Sequence, residues 1–222
     1  MGTGAAGQTT TPPDRRTGEP FHDYRSEPLE FAGPADEPVS EALAEVTLGW
    51  FGPGDGQHAR HGDLWTAASL AVEEANRAGG WHGLPFRLAA TWSENAWGTG
   101  VSQLARMVYE EGVWAILGSV DGAATHLAEQ VVAKALVPLV SPVATDESVN
   151  LAGVPWMFSV APGDHLWAPV LVDDLLAHVA DGEFALLSVT DHDSRAATDV
   201  LLEALSRRHR GPLQHLEIRP QS

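Results

Sequence analysis

The chain has 222 residues, 44% of them hydrophobic, and is long enough to bury the core of one large domain or two small ones. A formal net charge of −17 argues against a nucleic-acid or anionic-membrane surface, because those partners are held by clustered Lys and Arg. The absence of Cys removes disulfides, thiol catalysis and Cys-type zinc sites without fixing the compartment, and no apolar run approaches the roughly 20 residues that span a bilayer.

Residues 1–44 are rich in Pro, Gly, Thr and charge, show little periodicity and read as a disordered leader or linker. Arg15-Arg16 is followed by Thr17-Gly18-Glu19-Pro20 rather than an apolar stretch, so no signal peptide is visible. Order is expected from Glu45. Val46-Thr47-Leu48-Gly49-Trp50-Phe51 reads as a buried strand ended by Gly52-Pro53-Gly54-Asp55-Gly56. A helix follows over 62–78, with Leu64, Ala68, Ala71 and Ala75 at helical spacing, Asp63 as its N-cap and Gly79-Gly80 as its stop. A second strand runs over 86–92.

The unit then repeats. Val101, Leu104, Ala105 and Val108 mark a helix closed by Gly112, and 113–117 is a short buried strand. Leu127, Val131 and Ala135 stripe a third helix with Asp121 or a neighbour near its start, followed by strands over 138–141 and 156–160. Alternating strands and helices with short connections imply a parallel α/β sheet with right-handed crossovers. Beyond Pro162-Gly163-Asp164 come a helix (Leu166, Val170, Leu171, Leu175), a strand over 184–189, a helix (Val200, Leu201, Ala204, Leu205) and a strand-like piece over 213–218. Two strands with two helices leave apolar faces uncovered, so this part is either the tail of one larger sheet or the start of a second domain.

The loops carry the candidate chemistry. Gly52, Gly54 and Gly56 give G-x-G-x-G, but Gln57 follows and no G-K-[ST] is present, so neither nucleotide fingerprint is met. His58 and His61 have a spacing that places both on one side of a turn, yet no third ligand stands near them, and no metal centre is expected. Ser119 and Ser141 stand at strand ends outside any G-x-S-x-G, and Glu94 and Asp121 read as caps before they read as a catalytic pair, so no catalytic residues and no cofactor are expected. A binding surface remains. Ser119, Thr125, Ser141 and Thr145 supply hydroxyls, and Gly122 to Ala124 present backbone donors at a helix amino terminus, which attracts a carboxylate or another anion.

Five features occur in order: the strand ending in Phe51-Gly52-Pro53, the His61-Gly62-Asp63 helix start, Ala75-Asn76-Arg77-Ala78-Gly79-Gly80-Trp81-His82-Gly83, Ile116-Leu117-Gly118, and Ser141-Pro142-Val143-Ala144-Thr145. Together they resemble the type I periplasmic solute-binding proteins, in particular the branched-chain amino acid (Leu/Ile/Val) receptors of ABC transporters. The resemblance covers Glu45 to about Pro220. It implies an α/β fold of the type I periplasmic-binding-protein kind: a doubly wound parallel-sheet lobe over 45–161 and an incomplete second α/β lobe over 162–222, closing by a hinge on a small ligand without chemistry. In the family the second lobe continues and supplies the other jaw, often with an acid for the ligand's ammonium, so this chain is expected to be truncated and not to close.

The resemblance also implies that the loop after Gly118 and the one ending at Thr145 hold the ligand. Ser119, Asp121, Gly122, Ala123 and Ala124 fall in the first, Val143, Ala144 and Thr145 in the second, and His61 falls where an aromatic often covers the ligand. The family's first loop is typically Ser-rich, whereas Gly122-Ala123-Ala124 offers backbone donors and no hydroxyls. The implied partners are a small-molecule ligand, an amino acid or similar carboxylate, and an ABC permease in the membrane, with no nucleic acid and a periplasmic or extracellular location. The alternatives are a ligand-sensing domain of a receptor or regulator with the same fold and, third, an α/β enzyme.

Overall fold

A computed structural model of the chain describes residues 43–93, 96–179 and 183–219. Most of the expected leader, 1–44, and Glu94 of the weighed carboxylate pair lie outside the described residues. Two α/β units follow one another. The first holds a five-stranded parallel sheet in the order β2-β1-β3-β4-β5, formed by β1 (Val46–Phe51), β2 (Phe86–Thr91), β3 (Ala115–Gly118), β4 (Leu139–Ser141) and β5 (Met157–Ser159). The second pairs β6 (Ala185–Val189) with β7 (Gln214–Ile218), also in parallel.

β1 lies between β2 and β3, and five of its six residues are buried, as a central strand covered on both faces requires. Its register with β3 runs from Leu48↔Ala115 to Phe51↔Gly118, which brings the carboxyl ends of the two strands level. The helices are α1 (Gly62–Arg77), α2 (Val101–Tyr109) and α3 (Gly122–Ala135). The core joins Leu104 and Met107 of α2 and Ala128, Val131 and Val132 of α3 to Phe51, Ile116, Leu139 and Met157 of the sheet. Each large side chain removed from water there stabilises by roughly 1.5–3 kcal/mol.

Polar side chains fix the joints. Asn76, near the end of α1, donates from its side-chain amide to Phe86 O at 2.8 Å and accepts from Phe86 N at 2.6 Å, which seats the start of β2. Trp156 donates from Nε1 to Val132 O at 2.8 Å and clips β5 to α3. In the second unit α4 (Asp164–Val179) and α5 (His192–Arg207) pack through Ala168, Val172, Ala204 and Leu205. Leu187, Leu216 and Ile218 of the β6–β7 pair remain about half exposed or more, and so do Leu166, Val170 and Leu171 of α4. No described helix is long and apolar enough to cross a membrane.

One expected cap is corrected. The residue preceding α1 is His61, which makes no side-chain cap, and Asp63 stands in the first turn. The reason is that the preceding turn already serves the helix end: Gly62 N donates to His58 O at 3.0 Å, and the chain enters the helix without an Asx cap.

Candidate functional site

In a sheet of order 2-1-3-4-5 the chain leaves β1 toward one side and arrives at β3 on the other, so a crevice opens beyond their carboxyl ends. Three loops converge there: 52–61 after β1, 119–121 after β3 and 142–146 after β4. Asp121 is the extended N-cap of α3 and accepts from Ala124 N through Oδ1 at 2.7 Å. Burial pushes its carboxyl up, the Ala124 N–H pulls it down, Asp193 pushes it up, and His61 and Arg60 pull it down, for a net rise. Two basic side chains from the loop after β1 and one acid from α5 therefore act on the same helix end.

That acid touches the loop directly. Asp193, in the first turn of α5, accepts from Gly122 N through Oδ2 at 2.8 Å. Its Oδ1 is buried and has no partner among the described residues. A side chain at Gly122 would disturb this arrangement, since its Cβ would lie 2.7 Å from Asp193 Oδ1 and 3.2 Å from Asp146 Cβ.

Three of the four hydroxyls expected at these loops lie beneath them. Ser119, Thr125 and Ser141 are all fully buried. Ser119 Oγ lies 3.3 Å from Thr125 Oγ1, which lies 3.4 Å from Ser141 Oγ, and both Ser119 and Thr125 donate to Asp121 O, at 3.2 and 2.6 Å. They lock the β3 loop from beneath, as satisfied buried polar groups do, and do not line its surface. Gly122, Ala124 and Ala144 are buried as well. His61, Asp121, Ala123, Val143 and Thr145 are partly open. His61 stacks on His58 with ring centroids 5.4 Å apart, and Thr145 O accepts from Asp164 N at 2.8 Å, which ties the third loop to the start of α4.

A second polar cluster adjoins the crevice. His126 of α3, Asp146 and His192 of α5 converge, with Asp146 Oδ2 at 3.3 Å from His126 Nε2 and 2.9 Å from His192 Nε2. Burial raises the Asp146 carboxyl, but hydrogen bonds from the Ser148 N–H and hydroxyl, His192 and His126 outweigh it and leave it below its ordinary value. Behind His126, Glu129 is pushed up to about 7 by burial.

Arg60, Asp193 and this cluster were not found from the sequence. The polar stretch Thr190-Asp191-His192-Asp193-Ser194 after β6 obeys the same strand-end logic that found the β3 and β4 loops, and that was the available signal. Elsewhere, an open apolar groove of about 400 Å³ between α4, α5 and the β6–β7 pair is lined by Trp167, Leu171, Leu187, Val189 and Ile218. It is the uncovered side of the second unit and lacks the converging charges of the crevice.

The family model described as "Periplasmic binding protein" matches residues 45–209. A Leu/Ile/Val-binding protein homolog 3 of Brucella melitensis is 28% identical over 167 residues, 75% of this chain and 44% of that protein. An amino acid binding protein of Pseudomonas aeruginosa is 29% identical over 126 residues, 56% of this chain and 34% of its own length. The chain thus spans less than half the length of these relatives. Among solved structures, the branched-chain amino acid transporter substrate-binding protein LivJ of Streptococcus pneumoniae, in complex with isoleucine, superposes with a TM-score of 0.70 at 20% identity, over 80% of this chain and 51% of that one. A solute-binding protein of Rhodopseudomonas palustris in complex with 3,4-dihydroxybenzoic acid gives 0.67 at 13% identity, over 80% and 48%. The order of the sheet and the match over 45–209 lead to one conclusion: the chain belongs to the periplasmic binding protein family.

Proposed function

We propose that the crevice at β1, β3 and β4 binds a small solute carrying both a carboxylate and an ammonium group, an α-amino acid, on behalf of an ABC permease, without chemical turnover and outside the cytoplasm. The observation that carries this reading is the pairing of opposite charges around the α3 amino terminus. Arg60 and His61 favour an anion, while Asp121 and the unpartnered Oδ1 of Asp193 favour a cation a short distance away. Two neighbouring acids repel each other, and a positive group placed between them relieves that repulsion. Similarity to amino acid binding proteins supports the same class of solute. The bound isoleucine and dihydroxybenzoic acid of the two solved neighbours have a carboxyl group in common.

The test is a heteronuclear NMR titration of the chain with leucine, isoleucine and valine, and with the amines that lack their carboxylates. Saturable shifts of the Gly122, Ala123, Ala124 and Val143 amides are expected with the amino acids and not with the amines. Equal shifts with both sets, or none at millimolar concentration, would overturn the reading.

A further inference from the structure

We propose that His126, Asp146 and His192 form a binding site for a divalent transition metal of the zinc class, which ties α3 and the loop after β4 to the start of α5. Each residue offers one ligand atom, and the three atoms lie within 4.8 Å of one another. A tetrahedral zinc with bonds of about 2.0–2.2 Å needs neighbouring ligand atoms roughly 3.3 Å apart. The His126–Asp146 and His192–Asp146 separations, 3.3 and 2.9 Å, lie at and somewhat below that spacing. Three protein ligands and one open position are what a non-structural zinc site uses, and the half-exposed His192 ring leaves a path from solvent.

The surroundings hold the ligands in place. Asp146 Oδ1 is engaged by Ser148, accepting from N at 2.9 Å and from Oγ at 2.8 Å, which leaves Oδ2 facing both imidazoles. The two rings meet edge to face, with centroids 5.7 Å apart, so their Nε2 atoms converge on that one oxygen. His126 Nε2 also lies 2.7 Å from Ser148 Oγ, a contact it would give up to the metal. On the far side of the ring, Glu129 Oε2 stands 3.6 Å from His126 Nδ1, the carboxylate–histidine arrangement that orients a metal-binding imidazole. Glu129 is itself more than nine-tenths buried, and its Oε1 has no partner among the described residues. A carboxylate kept inside at such expense is accounted for if it supports a histidine that carries a metal.

The measurement is Zn²⁺ titration of the tag-free, chelator-stripped chain against a chromogenic chelator, repeated with Co²⁺ and its visible absorption. One equivalent should bind and give the intense bands of a four- or five-coordinate cobalt site. His192→Ala, made on a half-exposed ring, should abolish stoichiometric binding while its circular dichroism matches the parent, and His126→Ala should do the same. Glu129→Gln should weaken binding by about 10-fold or more. His58→Ala, at the stacked pair in the loop after β1, should leave it unchanged. Absence of stoichiometric binding in the parent would reduce the cluster to a hydrogen-bonded His–Asp latch and overturn the proposal. So would binding that survives His192→Ala, or that is lost with His58→Ala.

Discussion

Gly118 ends β3 at the mouth of the crevice with φ near +124°, a region L side chains rarely adopt. A Cβ there would stand 2.6 Å from Phe51 O in the neighbouring strand, so neither backbone could yield without breaking the register at the site. Gly118→Ala should therefore cost at least about 1–3 kcal/mol, read as a lower denaturant midpoint at unchanged slope. Glu129 is the other residue under tension. Its carboxyl titrates near 7 in the fold against 4.5 for the ordinary group, because burial disfavours the charge. A raised value means that the fold prefers the protonated form. The contribution is complete below pH 4.5 and is lost as pH rises through 7, a span of roughly 3 kcal/mol. Glu129→Gln, neutral and isosteric, should thus gain over the parent at pH 8 and lose that advantage near pH 4.5, in urea melts run with a chelator present. A constant difference across that range would mean that the charge of Glu129 is satisfied in the fold.

At the scale of elements, strands and helices followed from periodicity because most long segments of the first unit bury one face or both. Val46–Phe51 and Ala185–Val189 fall where continuous apolar runs placed them. The start of α5 did not: its stripe Val200, Leu201, Ala204, Leu205 marks only the packed end, while the helix begins at His192 under an Asp191 cap. His192 and Asp193 in the first turn of α5 are polar and bond to Asp146 and Gly122, so that end of the helix carries no apolar period. The short helical turns at Ala96–Gly100 and Glu147–Asn150 are below the length at which any period can be seen. Asp191 accepts from Ser194 N at 2.8 Å, so Asp191→Ala should cost about 0.5–2 kcal/mol. Hydrogen exchange should locate that loss in α5 and β6 and leave the β1 and β3 amides unchanged. Equal acceleration in both would show that the two units open as one.

Across the whole molecule, contacts made within one loop were legible in the sequence and contacts assembled between distant segments were not. Asp121 caps Ala124 within one loop, and the sequence shows it as such. Asp193 reaches Gly122 from 71 residues away, and no spacing rule connects them. The His126, Asp146 and His192 cluster is hidden likewise, its contacts spanning 20 and 46 residues, whereas close spacing displays pairs such as His58 and His61. The long-range contact also sets the selectivity that can be tested. If Asp193 Oδ1 receives the ammonium of an amino acid, Asp193→Asn should weaken leucine binding by about 10-fold, the 1.4 kcal/mol of one charge-assisted hydrogen bond. Binding of 4-methylpentanoate, which keeps the carboxylate and lacks the amine, should hardly change. The two ligands share their apolar body, so general damage to the fold would weaken both equally. An equal loss would therefore assign Asp193 to holding α5 against α3, and a loss confined to leucine would assign it to the ligand's ammonium.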